Sequence, residues 1–559
     1  MKKILLTLLA GALLLSAGVL PVAAADTKPV AVVSLASYDE LLSDVSFVGK
    51  LADRPELGRM LEGLVAMVTQ GKGLAGIDKS RPLGLIVQSD GSQVFFYWFV
   101  PITDLKAVGE LLELYATVEE TDKGIYKVSP KNGKKPEYVR SDGRWAFVAK
   151  KPEWLAHVVA DPTAVLAGLE KQYLVAGRLF AANVPSNLRE MVLGQLQNKA
   201  RADLEQQKPG ESDQAYGVRK KVGQQVLGLL TGLLNDLDQV TLGWSMDRKA
   251  EKTALDLSVT ARPGTPSAAQ LALIEKTSSN FAGFRSPGAT LVANMAGKIP
   301  AAKIEILTTL IDAVHTQALQ DAQKKTPADR LDLAKTFIDD VAETLKKSVN
   351  SGRCDGAVAV TLDPKAATVV AGTHVADGAL LDKALHSLAA LAEKENPAVA
   401  GLVKFDAERA KDIRFHTVTI PIPSEAENRE KVVQLIGEKL EVVIGIGPQS
   451  IYLAAGRDAM ATLRRAIEAS VAEAAHTVPP VEITLALEPL ARFVATVGKD
   501  KDRPGAELIQ AELKKTPGVD HIRLVAQPIP QGISYRLEVE QGIVRLVGRL
   551  AAMGGKHKP

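Results

Sequence analysis

A single cysteine, Cys354, serves a chain of 559 residues, so no internal disulfide can staple the fold and a hydrophobic core must hold it. Beyond the first 25 residues no stretch reaches the ~18 uninterrupted apolar residues of a membrane-crossing helix. Neither sign of charge dominates, with 68 basic against 65 acidic residues. A nucleic-acid partner is therefore not expected, because phosphate neutralisation calls for a concentrated basic excess. Asn-x-Ser/Thr acceptors are absent, as are G-x-S-x-G, H-E-x-x-H, Walker A, EF-hand and paired C-x-x-C patterns. Those absences weaken the case for an enzyme, and no pattern calls for a cofactor or a metal.

What is present begins at the N-terminus. Lys2 and Lys3 precede an apolar run over residues 4–15, and Ala23, Ala24 and Ala25 follow Pro21. This is the charged, apolar and small-residue order of a Sec signal peptide, with cleavage expected between Ala25 and Asp26. Without a cysteine after the small residues there is no site for a lipid-modified N-terminus. The expected product is a bacterial periplasmic or secreted protein with no transmembrane anchor after signal cleavage.

Apolar periodicity predicts strands alternating with helices. A strand over 30–35 leads to helices over 41–49 and 56–70, then to a hairpin of 83–87 with 94–100 around Asp90-Gly91, where the turn wants φ > 0. A helix over 105–115 should be capped by Asp104. A second Asp-Gly, at Asp142 and Gly143, predicts another hairpin. Further on, strands at 290–294, 357–362, 367–372, 414–420, 442–445, 450–454, 481–486, 521–526 and 534–539 are interleaved with helices. Residues 199–221 are rich in Lys, Glu, Gln and Asp around Pro209-Gly210 and read as a solvated insert, helical at its ends. Hairpins followed by covering helices imply α+β architecture, mainly antiparallel sheet with helices packed on one face. The order of elements recurs, so the expected organisation after the signal is two similar lobes, 26–287 and 288–559, from a possible internal duplication.

Three local features are candidates for chemistry or binding. Cys354 and Asp355, with His374, Asp377 and His386 downstream, bring nucleophile, imidazole and carboxylate types together, and a thiolate would need such a neighbouring base. Cys354 and His374 are the candidates under a hydrolase reading, against an ordinary buried cysteine and a surface histidine. His374, Asp377 and His386 match no standard metal-ligand spacing. Gly71, Gly73 and Gly76 have the glycine spacing of a dinucleotide fingerprint, but a helix precedes them and a strand follows, the reverse of what pyrophosphate binding needs. Finally, Phe95, Phe96, Tyr97, Trp98 and Phe99 form an unbroken aromatic run, five of the chain's 25 aromatics. Alternation puts Phe95, Tyr97 and Phe99 on one face and Phe96 and Trp98 on the other. Phe95, Tyr97, Phe99 and Trp98 are the candidate wall for an apolar or glycan-like ligand, with core packing as the alternative. Lys127, Lys131, Lys134, Lys135 and Arg140 lie beside it.

The signal peptide without a lipobox, the recurring strand, helix and hairpin units and the low aromatic content resemble uncharacterised exported bacterial proteins of a domain-of-unknown-function type. That resemblance transfers no catalytic residue. With no catalytic pattern in the chain, the expected function is that of a non-enzymatic exported envelope protein, a binding or structural module whose partner is an envelope protein or an apolar ligand; a carrier of an apolar or lipid-like ligand in the first lobe and a hydrolase with a dispersed site are the alternatives.

Overall fold

The computed structural model describes residues 27–121, 124–286, 288–363, 365–425 and 429–554. The N-terminal segment read above as a signal peptide, Pro287 and Asn428 at two expected element borders, and Pro364 lie outside them. Backbone contacts divide the chain into two compact units. Unit 1 holds the residues up to Leu193 together with Asp238–Arg248, and unit 2 holds Gly194–Leu237 and everything from Lys249 onward. The border expected at 286–288 thus falls inside unit 2, and the units are not equal halves of the chain.

Unit 1 runs β1 (Lys28–Leu35), α1 (Tyr38–Leu51), α2 (Leu57–Val68), β2 (Leu83–Ser89), β3 (Val94–Pro101) and α3 (Leu105–Leu112). It continues with β4 (Ala116–Thr121), β5 (Ile125–Pro130), β6 (Glu137–Ser141), β7 (Trp145–Ala149), α4 (Pro162–Leu166), α5 (Leu169–Gln172) and β8 (Val175–Phe180). Two long helices follow, α6 (Ser186–Glu205) and α7 (Asp213–Asp236), before the chain returns to unit 1 as β9 (Leu237–Asp247). The strands pair antiparallel in the order β4, β5, β6, β7, β3, β2, β1, β8, β9.

Local chemistry explains the turns. At the β2–β3 hairpin Gly91 takes φ 93°, and Asp90 Oδ1 accepts the N–H groups of Ser92 and Gln93, both at 2.8 Å. Asp104 caps α3 by accepting from Lys106 and Ala107. The insert at 199–221 is helical at both ends, over 199–205 and 213–221. Only 206–212 interrupt α6 and α7, because Ser212 caps α7, Arg219 clasps Glu211 at 2.7 Å and the Tyr216 hydroxyl donates to the Glu205 carbonyl. Neither helix buries a residue fully, so the segment is solvated and helical at its ends, as its composition implied.

Unit 2 contains β10 (Lys252–Ala261), α8 (Pro266–Ala272), β11 (Thr277–Ser278), β12 (Leu291–Lys298), α9 (Ala301–Lys325), α10 (Ala328–Asn350), β13 (Arg353–Asp363), β14 (Ala366–His374) and α11 (Gly378–Glu395). Next come β15 (Val403–Ala410), β16 (Ile413–Pro421), α12 (Arg429–Ile436), β17 (Lys439–Gly447), β18 (Ser450–Gly456) and α13 (Ala459–Ala472). The chain closes with β19 (Thr477–Val478), β20 (Val481–Ala486), α14 (Leu487–Val497), α15 (Arg503–Leu513), β21 (His521–Ile529), β22 (Gly532–Glu540) and α16 (Gln541–Gly554). The main sheet is again antiparallel, ordered β10, β22, β21, β20, β12, β13, β14, β18, β17, β16, β15. Its core lies where α13, through Ala459 and Leu463, packs with Phe281 and Phe284 on Val370, Phe415, Val443 and Ala454. Antiparallel sheet with packed helices makes the protein α+β.

Candidate functional site

The sheet of unit 2 has two unlike faces, and strand register shows how they arise. Leu255 on β10 pairs with Leu537, which pairs with Leu524, then Ile483, then Ala293 on β12. The line continues through Val358, Ala371, Leu453 and Ile444 to His416 on β16. Paired residues point to the same side, so this is one row crossing ten strands, roughly 40 Å at about 4.8 Å per strand. Nine of its ten members are apolar. The next row on that face includes Leu257, Tyr535 and Met295.

Much of this face meets solvent: Leu255 is 43% exposed, Leu257 39%, Met295 52%, Leu453 40% and Ile483 38%. Exposed apolar side chains gathered on one face mark an interaction site; the other apolar members of the row are partly buried. At the β10 end the charges occupy the other face. Asp256 accepts both arms of Arg536, at 2.8 and 2.7 Å. Glu482 Oε1 accepts two bonds from Arg523 and Oε2 pairs with Arg285 at 2.7 Å. Both carboxylates are nearly fully buried beneath their arginines, as buried charges must be paired to be tolerated.

The row ends at a polar lock. His416 is fully buried; its Nδ1 accepts the Asp406 N–H at 3.2 Å, which leaves the proton on Nε2. That nitrogen lies 3.1 Å from Asp382 Oδ1 on α11, off the line of a good hydrogen bond. Arg414 holds the other carboxylate oxygen at 3.0 Å, and the His386 ring stacks on Phe405. Burial pushes the His416 pKa down, against a smaller upward pull from Asp382. With Nδ1 engaged by the Asp406 N–H and Nε2 3.1 Å from Asp382, the buried ring lies between the sheet and α11.

The residues singled out from sequence fall elsewhere. Cys354 is half-buried, and burial, with Asp355 second, pushes its thiol pKa up, the opposite of an activated nucleophile. His374 has Nδ1 at 3.1 Å from the Gln449 carbonyl and Nε2 at 3.4 Å from Ser351 Oγ, and burial lowers its pKa. No hydrogen bond joins it to Cys354 among the described residues. Asp355 accepts from Ser279 Oγ at 2.5 Å, the Asn280 N–H and Arg353, tying the segment after β11 to β13. Asp377 caps α11 and pairs with Lys347, while His386 sits on α11 near Asp382. Among the described residues no group of three or more His, Cys, Asp or Glu side chains is arranged to hold a metal ion.

The aromatic wall is core. Phe95, Tyr97 and Phe99 are buried at 3%, 0% and 0% exposure. Tyr97 meets Phe147 edge-on at 5.8 Å, Phe99 meets Trp145 at 5.5 Å and Phe95 stacks on His157. Trp98 emerges, exposed, on the opposite face. The run faces the packed cluster containing Ile86, Leu155 and Leu169 because β3 is central in its sheet, between β2 and β7. In the basic cluster, Lys131 and Arg140 donate to the carbonyls of Glu113 and Leu155.

Sequence inspection missed the apolar row because each member sits on a different strand. Asp382 and His416, 34 positions apart, carry no spacing signal either. No family model matches the chain, and no curated protein matches it. Among solved structures, crystal form IV of TP0453 aligns at 9% identity over 42% of this chain and 77% of that one, with a TM-score of 0.21, too low to bear on fold or function.

Proposed function

We propose that this chain is an exported bacterial envelope protein that binds, without catalysis, an apolar lipid-like ligand on the open face of the unit 2 sheet. The observation that carries the reading is the row from Leu255 to Ile444, apolar across nine strands and open at Leu255, Ile483 and Leu453. Acyl chains suit such a surface because they are apolar along their length and demand no hydrogen bonds, and burial gains about 25 cal/mol per Å². The export half of the reading rests on Lys2, Lys3, the apolar run and the alanines before Asp26.

The test is mass spectrometry of an organic extract of the protein purified from an envelope fraction without detergent, followed by rebinding of a fluorescent fatty acid to stripped protein. A stoichiometric lipid, and loss of rebinding in Ile483→Lys with the circular dichroism spectrum retained, are the expected results. A clean extract with no rebinding would end the proposal. N-terminal sequencing of the same sample should begin at Asp26; an intact Met1 would remove the export half.

A further inference from the structure

Unit 1 contains a cleft of about 780 Å³, within the roughly 300–1,000 Å³ range of small-molecule sites, and its chemistry differs from the apolar sheet face. It is lined by the start of α1, the segment entering β2, and α4 with α5, along with Tyr173, Leu174 and Met246. Two of its partly buried charged side chains, Arg81 and Glu170, have unfilled hydrogen-bonding capacity. The Arg81 guanidinium lies 4.0 Å over the ring of Trp145, which is itself fully buried, and Arg81 makes no hydrogen bond or ion pair with any described residue. A guanidinium stacked by its face is fixed in orientation while its in-plane N–H donors stay free, the arrangement that receives a carboxylate in two-pronged fashion. Across the same lining, Glu170 has a buried Oε2 with no hydrogen-bond partner; an unfilled buried carboxylate oxygen carries a desolvation cost that a bound cation would relieve.

The remaining acids are already employed. Arg248 holds Glu40 at 2.7 Å and Asp44 at 3.3 Å, and Asp161 accepts the backbone and hydroxyl donors of Thr163. Lys171, also on the lining and without a side-chain partner among the described residues, is exposed to solvent, so the partly buried unmatched charges are one cation, Arg81, and one anion, Glu170.

We propose that this cleft binds a small zwitterion of the amino-acid or short-peptide class, its carboxylate received by Arg81 and its ammonium by Glu170. A preformed, oppositely charged pair selects ligands that carry both groups and leaves those with only one incompletely paired, because each unmatched buried charge costs more than a neutral contact.

Thermal shift and calorimetry on the full chain, using dialanine and L-alanine beside acetate and ethylamine, test this. Dialanine or alanine should raise the melting temperature in proportion to ligand, as RT ln(1 + [L]/Kd) requires, while acetate and ethylamine at the same millimolar concentration should not. Glu170→Gln, nearly isosteric, should weaken binding tenfold or more. Arg81→Lys, which retains charge without the flat stack, should do likewise and provides a second readout if Arg81→Ala fails to fold. Equal response to acetate, undiminished affinity in Glu170→Gln and Arg81→Lys, or no response to either zwitterion would each overturn the assignment. None of these readouts depends on the lipid reading.

Discussion

At the scale of single residues, the largest aromatics are spent on cohesion. Phe99 lies fully buried against Trp145 and over Gly84, where a Cβ would meet the ring and the Val33 carbonyl. Phe99→Ala should cost about 3–5 kcal/mol, read as a fall in the urea midpoint with unchanged slope; a loss below ~1 kcal/mol would show that the site collapses around the gap. Titration is also decided residue by residue. His416 and His374 both have pKa values lowered by burial from the usual 6.5. As pH falls through 6.5 the unfolded chain takes up these protons before the folded one, so the stability they contribute is present above 6.5 and lost toward their lower folded values. The urea midpoint at pH 5.5 should lie below that at pH 7.5, with a shallower slope in His416→Gln; equal midpoints would contradict the assignment. The same environment logic makes Cys354 slow: its raised pKa predicts alkylation by iodoacetamide at pH 8 well behind a free thiol, and a rate equal to glutathione's would count against it.

At the scale of elements, much was legible. The Asp-Gly turns, the Asp104 cap and the alternation of residues 94–100 are local signals, and each appears where the chain chemistry puts it. Asp104→Ala should accordingly cost about 1 kcal/mol, measured by chemical denaturation, and a neutral result would mean that packing alone sets the start of α3. The misses have physical causes. Strands β4 and β15 carry charged residues such as Glu119, Glu120, Lys404 and Glu408 that hide their period, because each is paired along one side only. The ligand wall was misplaced for a different reason: alternation tells which residues share a face, not which face the rest of the chain covers.

At the scale of the molecule, the two surfaces proposed to bind ligands arise from assembly of distant segments. The cleft joins residues from Ala36 to Met246, and the apolar face joins residues from Leu255 to Leu537. Charged substitution on that face, such as Leu453→Lys, should leave folding intact, since the side chain is already 40% exposed, while abolishing acyl-probe binding. Loss of folding instead would mark the face as a structural interior.

Because the row runs perpendicular to the strands, no short peptide carries more than two neighbouring members, such as Val358 and Ala371 across the β13–β14 hairpin. An antibody raised against the native face would recognise a conformational epitope and fail on a linear peptide array. The row in its full length exists only where β21 and β22 pair between β20 and β10.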